Sequence, residues 1–137
     1  MVRVEVLQKR IQKIDEYLQL LQKYPTISLE DFLSEPEHYN SAERLLQLAI
    51  EATIDMGNHL VADMNLGHAD YGTQIPDILA DKELISRELA DIWVKMIGLR
   101  NILVHDYLDI SHQIVYEIVQ NRLEDITTLR DFFARYL

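Results

Sequence analysis

The sequence predicts an all-α fold, an antiparallel bundle of four main helices joined by short helical turns. Along most of the chain, apolar residues recur at steps of three and four, as they do on one side of an α-helix. Glycine and proline are scarce, with 4 and 3 copies in 137 residues, whereas turn-rich β folds use many of both. A chain of this length can bury one substantial core. We therefore expect residues 1–137 to form a single helical domain.

The first helix is predicted near the start of the chain, where aliphatic residues form one stripe and Pro25 ends the pattern. The stripe consists of Val4, Leu7, Ile11, Ile14, Leu18 and Leu21. This spacing also suits a short heptad seam for a partner chain, although a bundle helix fits so short a pattern better. Leu29, Phe32 and Leu33 then predict a helical turn inside an acidic linker.

The second main helix is predicted to start at Asn40, because an asparagine can cap a helix and Glu43 can reach back to it. Apolar residues cover more than one side of this segment, so it should be the most buried helix. Asp55, His59 and Asp63 stand at i, i+4 and i+8 and could meet on one side. We expect them to form hydrogen bonds on a partly buried surface; a metal site or the wall of a polar cleft are the alternatives.

Helix signals continue in the second half of the chain. Pro76 predicts a short helix that ends near Asp81, Ser86 caps a longer one, and Ser111 caps a final helix. The final stripe consists of Val115, Ile118, Ile126, Leu129, Phe133 and Tyr136. Gly98 either admits close packing of another helix or weakens its own helix by about 1 kcal/mol relative to alanine.

The charge of the chain limits the kind of nucleic-acid contact it can make. A net charge of −10 argues against general binding to a polyanion, since such affinity is mostly electrostatic. Between Tyr24 and Asp81, Arg44 is the only arginine or lysine, whereas Lys82, Arg87, Lys95 and Arg100 follow closely. The pattern allows a local basic cleft and excludes a broad basic face.

Composition also bears on chemistry and location. Cysteine is absent, so disulfides, thiolate catalysis and cysteine-based metal sites are excluded. Charges interrupt the first residues, which gives no signal-peptide pattern. No stretch approaches the roughly 20 apolar residues that cross a bilayer. We expect a cytoplasmic protein without membrane contact.

The residues with the clearest chemistry lie together between Arg100 and Tyr107, in the order Arg-Asn-Ile-Leu-Val-His-Asp-Tyr. Arginine pairs with phosphate through two hydrogen bonds and keeps its proton. Histidine, here His105, transfers protons near neutral pH. Asn101 could hold the imidazole or bind a phosphate oxygen. These groups suffice to cleave RNA without a metal, by attack of a ribose 2′-OH that DNA lacks. A simple helix C-terminal cap is the alternative interpretation.

The spacing of the motif raises a geometric difficulty. At about 100° per residue, Arg100 and His105 stand about 140° apart on an ideal helix, so one regular helix focuses them poorly on one atom. Either the helix loosens near His105, or two chains complete the site. A two-fold dimer would bring two arginines and two histidines into one groove, and the sequence therefore predicts a homodimer.

Residues 100, 101, 105 and 107 resemble the Arg-x4-His-x-Tyr signature of HEPN-domain ribonuclease toxins, specifically the HepT group. The similarity continues through residues 49–52, 58–60, 99–105 and 115–118, in the order that this group uses. The resemblance implies a helical bundle that dimerises with its motif helices facing each other. It also implies a metal-independent endoribonuclease that acts on tRNA or mRNA.

The same resemblance implies residue roles and a partner. Arg100 and His105 would be catalytic, with Asn101 in support and no cofactor or metal site. The chain would be the toxin of a toxin–antitoxin pair with a minimal nucleotidyltransferase, MNT or MntA. That antitoxin would silence the toxin by transferring AMP from ATP to Tyr107. The alternative function is a non-catalytic helical module that binds a nucleotide or a protein.

Overall fold

The computed structural model describes residues 2–105 and 110–137, and every regular element in these ranges is helical. The elements are α1 (Val4–Leu21), a 3₁₀ turn (Tyr24–Thr26), α2 (Leu29–Ser34), α3 (Pro36–Asp63), α4 (Gln74–Asp81), α5 (Arg87–Val104), α6 (His112–Asn121) and α7 (Leu123–Ala134). The predicted all-α class is confirmed. Among the described helices, none combines the length and apolar character of a bilayer-spanning segment.

The central element is α3, a helix of 28 residues that packs against α1, α2, α4, α5, α6 and α7. Its buried side chains point to several neighbours at once, as predicted for the most buried helix. They are Ala42, Leu46, Ala49, Ile50, Ala52, Thr53, Met56, Leu60 and Val61, together with Gly57. Since every other helix in this set contacts α3, the functional side chains of the other helices are positioned relative to it.

The packing of α5 on α3 depends on one buried tryptophan. The indole N–H of Trp93 donates to Thr53 Oγ1 at 3.0 Å, and the Thr53 hydroxyl donates to the carbonyl of Ile50 at 2.6 Å. Both buried polar groups are thus satisfied. A Cβ on Gly57 would lie 2.6 Å from Ile75 and 3.0 Å from Trp93, so only a glycine lets the helices approach this closely. This contact fixes α5 on α3.

Helix starts were predicted with mixed success. Ser86 and Ser111 cap α5 and α6 as expected, each Oγ accepting from the backbone N–H three residues later, at 3.1 and 3.4 Å. The predicted start at Asn40 is wrong, because α3 begins at Pro36 and Asn40 lies inside the helix. Proline suits the first turn of a helix, where its missing N–H would have no intrahelical acceptor.

The final helix was predicted as one continuous element, and this is wrong. The backbone leaves the helical conformation at Arg122, with φ −123° and ψ 6°, which separates α6 from α7. No glycine or proline marks the break. Val119 and Leu123 are buried on either side of it, so the apolar stripe continues across the bend and conceals it.

Candidate functional site

The arginine of the motif lies on α5, one turn before this helix ends, beside an open cleft of about 220 Å³ between α3 and α5. Its lining includes Glu51, Ile54 and Asp55 from α3 and Ile97, Arg100 and Asn101 from α5. The lining thus combines aliphatic side chains with charged and amide groups. A groove of this kind can accept a polar strand at its edge.

Arg100 is held from both sides. Its Nη2 donates to Glu51 Oε1 at 3.4 Å and its Nη1 donates to Asn101 Oδ1 at 3.1 Å. Glu51 in turn accepts from Gln47 Nε2 at 3.0 Å. The bond to Glu51 is long for a charge-assisted hydrogen bond, and a phosphate able to accept two short ones would compete well with it.

Arg100 also has N–H donors that its contacts with Glu51 and Asn101 do not use. Its side chain is 31% exposed and that of Glu51 is 28% exposed. A guanidinium carries five N–H donors, and the contacts with Glu51 and Asn101 use two of the four on Nη1 and Nη2. The Nε–H is buried and has no acceptor among residues 2–105 and 110–137, so it does not face the cleft. The arginine is therefore fixed in position with two Nη donors left for an anion.

His105 follows directly after α5. The helix ends at Val104, and His105 is its C-terminal cap residue in an extended conformation, with φ −92° and ψ 97°. The side chain is exposed, and the backbone N–H donates to the carbonyl of Ile102 at 3.2 Å. Of the two alternatives set by the 140° argument, a helix that gives way at His105 is the one seen. The geometric reason for requiring two chains is correspondingly weaker.

Asn101 and Tyr107 complete the predicted set. Asn101 Oδ1 accepts from Arg100 Nη1, so Asn101 contacts the guanidinium; its supporting role in catalysis, on the imidazole or on a phosphate oxygen, stays a prediction. Tyr107 lies outside the described residues, together with the rest of residues 106–109. Its role stays a prediction.

Glu51 is the residue that the sequence analysis missed. It stood within the segment 49–52 without any assigned role. Four polar residues, Glu43, Gln47, Glu51 and Asp55, follow one another at four-residue intervals along α3. That polar stripe, which follows one side of a helix with many buried apolar residues, was the available signal. Which helix each side chain meets depends on tertiary packing, so the stripe alone could not pair Glu51 with Arg100.

With this geometry in place, comparison with known proteins decides the family. The family model described as "Ribonuclease HepT-like" matches residues 14–132. The chain belongs to the HepT-like ribonuclease family. The resemblance noted from the motif is thereby confirmed for the greater part of the chain.

Two characterised HepT proteins are similar to this chain. The tRNA nuclease HepT of Aphanizomenon flos-aquae is 34% identical over 119 residues, which cover 87% of this chain and 81% of the relative. The mRNA nuclease HepT of Shewanella oneidensis is 41% identical over 86 residues, which cover 63% of this chain and 65% of that relative. The second match thus spans slightly less than two thirds of that HepT.

Solved structures of other proteins have the same fold. A toxin–antitoxin complex with AMP-PNP superposes with a TM-score of 0.88 at 30% identity, covering 96% of this chain and 98% of the other. The tri-AMPylated HEPN toxin of Shewanella oneidensis, in complex with an MNT antitoxin, gives 0.88 at 31% identity over 95% and 97%. YutE of Bacillus subtilis, at 23% identity and 0.83 over 99% and 91%, shares the fold.

In this HepT-like chain, Asp55, His59 and Asp63 form hydrogen bonds, as expected. Arg3 pairs with Asp63 at 2.9 Å and contacts His59 Nδ1 at 2.7 Å, while Arg10 pairs with Asp55 at 3.2 Å. The hydrogen bond from Arg3 holds the pKa of Asp63 below its ordinary value. Only Asp55 also lines the cleft. Arg3 and Arg10, near the start of the chain, are thus paired with side chains of α3.

Apolar side chains are exposed beside the motif. Ile102 and Val104 on the last turn of α5 are each 39% exposed, and Ile114 on the first turn of α6 is 52% exposed. A Cβ on Gly98 would meet no described atom within 4 Å, so the close helix packing considered for this glycine does not occur within the described chain. The surface around the motif helix is open and partly apolar.

Proposed function

We propose that this chain is a cytoplasmic, metal-independent endoribonuclease of one domain, residues 1–137, that acts on tRNA or mRNA as the toxin of a toxin–antitoxin pair. Two similar HepT proteins are a tRNA nuclease and an mRNA nuclease. The observation that carries the proposal is Arg100, which Glu51 and Asn101 hold beside an open cleft with donors to spare.

The proposed reaction needs only groups of the motif. The ribose 2′ oxygen attacks the neighbouring phosphorus while His105 removes the 2′ proton, and the bond from phosphorus to the 5′ oxygen breaks. Arg100 stabilises the charge that develops on the phosphorane oxygens. His105, now protonated, returns the proton to the leaving 5′ oxygen, which gives a 2′,3′-cyclic phosphate and a 5′ hydroxyl.

The homodimer is part of the proposal. Ile102 and Val104 are exposed on the last turn of the motif helix and Ile114 is exposed on α6, and exposed apolar side chains favour burial against another protein surface. A two-fold axis beside α5 would cover this surface and place the motifs of both chains in one groove. Such a groove also explains how an acidic protein binds RNA, since local shape and paired arginines replace a broad basic face.

Chelation provides the direct test of metal independence. We expect the purified protein to cleave a tRNA and mRNA mixture at the same rate with or without excess EDTA, because arginine supplies the charge stabilisation. An all-deoxy oligonucleotide of the same sequence should stay intact, since it lacks the attacking 2′-OH. Gel analysis of labelled RNA measures both. Activity that disappears on chelation contradicts the mechanism, and a bound nucleotide or protein without any RNA cleavage supports the non-catalytic alternative.

The proposed partner is an MNT-type nucleotidyltransferase that modifies Tyr107. A similar HEPN toxin is tri-AMPylated and in complex with an MNT antitoxin. Phosphates attached seven residues from Arg100 would occupy the position of the substrate phosphates, so competition suffices to silence the enzyme.

Intact mass spectrometry tests this modification. After incubation with the antitoxin and ATP, we expect added AMP groups on the wild-type protein and none on Tyr107→Phe. Tyr71→Phe is the matched control, because Tyr71 is 72% exposed yet lies outside the motif. An unchanged mass increase in Tyr107→Phe would assign the modification to another residue.

A further inference from the structure

His112, seven residues after His105 in the sequence, is held by a hydrogen bond and by a ring contact. His112 is the first residue of α6, and its Nδ1 lies 2.6 Å from Glu43 Oε2. Its ring stacks on Tyr39, with centroids 3.8 Å apart and an angle of 19°. The side chain of Glu43 is 15% exposed, whereas that of His112 is 37% exposed. The hydrogen bond to Glu43 and the stacking on Tyr39 thus fix the imidazole, which is still partly exposed to solvent.

The position of this imidazole relates it to the cleft. Glu43 precedes Glu51 by two steps of four residues on α3, with Gln47 between them. At 1.5 Å per residue the two carboxylates are separated by about 12 Å along the helix axis. Side chains at such intervals lie on neighbouring parts of one side of the helix. His112 and Arg100 are therefore attached to the same side of α3, within the reach of one RNA strand.

The bond to Glu43 determines what the other ring nitrogen can do. An ionised carboxylate only accepts hydrogen bonds, so Nδ1 carries the proton and donates to Glu43. In the neutral imidazole, Nε2 is then a hydrogen-bond acceptor. The phosphate oxygens of RNA cannot donate to it, whereas the ribose 2′-OH can. The Nε2 acceptor of His112 is thus suited to bind the ribose 2′-OH of RNA and not its phosphate.

We propose that His112 Nε2 accepts a hydrogen bond from the 2′-OH of a nucleotide that flanks the cleaved bond. The inference rests on the proposed ribonuclease function and adds a substrate contact outside the motif. Stacking on Tyr39 and the bond to Glu43 fix the ring before RNA arrives, which lowers the cost of binding. His112 favours RNA over DNA at this flanking position, independently of the attacking 2′-OH.

The experiment combines a substrate scan with a variant. In a cleavable RNA, each flanking nucleotide is replaced singly by its 2′-deoxy form and kcat/KM is measured. For the wild type we expect one flanking position at which the loss is about threefold to tenfold, the size of one neutral hydrogen bond. His112→Asn keeps a donor where Nδ1 was and removes Nε2. In this variant the same 2′-deoxy substitution should cause no further loss.

Two controls separate the outcomes. His38→Asn is matched, because His38 is also on the bundle and bonded through Nδ1, to the carbonyl of Asp31 at 3.2 Å; it should keep the wild-type profile. His112→Ala, which removes both ring nitrogens, replaces His112→Asn if that variant does not fold. A flat wild-type scan, or losses that add independently to the variant at every position, overturns the proposal. Failure of the wild type to cut the all-RNA substrate instead refutes the ribonuclease function itself.

Discussion

Arg100→Ala is expected to lower kcat/KM for RNA cleavage by about 10²- to 10³-fold, the usual cost of removing a donor that stabilises a transition-state oxyanion. Arg100 has the position for this role, since it lies at the rim of the cleft and its contacts with Glu51 and Asn101 use only part of its donor capacity. Steady-state cleavage of a labelled RNA provides the measurement.

The fold should survive this substitution. The pair of Arg100 with Glu51 is about one-third exposed on each side and 3.4 Å long, and such pairs contribute roughly 0–1 kcal/mol. A thermal unfolding curve close to that of the wild type would show that the lost activity has a chemical cause.

Two further variants make the test specific. Arg87→Ala removes an arginine at the other end of α5, where it pairs with Asp77 and Asp81 at 2.9 and 2.8 Å, and should keep full activity. Arg100→Lys keeps the charge but loses the planar fork, so it should recover only part of the rate. If Arg100→Ala cleaves RNA as fast as Arg87→Ala does, the arginine has no part in catalysis.

Much of the fold could be predicted because the helices obey local rules. The apolar stripe of α1 and the serine caps of α5 and α6 are properties of short segments, and the structure confirms them. The two errors have different causes: one arose where two local signals compete, and the other where a bend leaves no local signal. Pro36 and Asn40 are both good residues for a helix start, and the sequence does not rank them. The bend at Arg122 leaves the spacing of apolar residues intact, so periodicity cannot reveal it.

The candidate site was predictable only where it is local in sequence. Arg100, Asn101 and His105 lie within six residues, and the motif identified them together. Glu51 is 49 residues from Arg100 and the contact between Glu43 and His112 spans 69 residues, so both pairs required the packing of helices on α3. The ideal-helix angle predicted that the helix loosens near His105 or that two chains complete the site, and it could not decide between them; α5 ends at Val104.

His105→Ala is expected to reduce RNA cleavage by about 10²- to 10⁴-fold, the range that a positioned acid or base contributes. The side chain of His105 is exposed at the end of α5, and a thermal unfolding curve measured beside the activity separates a chemical effect from a structural one. Added imidazole should restore part of the rate, because it can enter an exposed site and transfer the proton in place of the side chain. His68→Ala, with a ring that is 84% exposed beside Asp70, is the control.

Mixing the two inactive variants shows whether one chain or two complete the site. The shared groove of a two-fold dimer holds two equivalent pairs of Arg100 with His105. If each pair takes Arg100 from one protomer and His105 from the other, a mixed dimer of Arg100→Ala and His105→Ala keeps one pair intact, and activity should return on mixing. If each pair comes from a single protomer, both pairs in the mixed dimer lack one group and the mixture stays inactive. That result would leave catalysis within one chain and remove the shared groove from the mechanism.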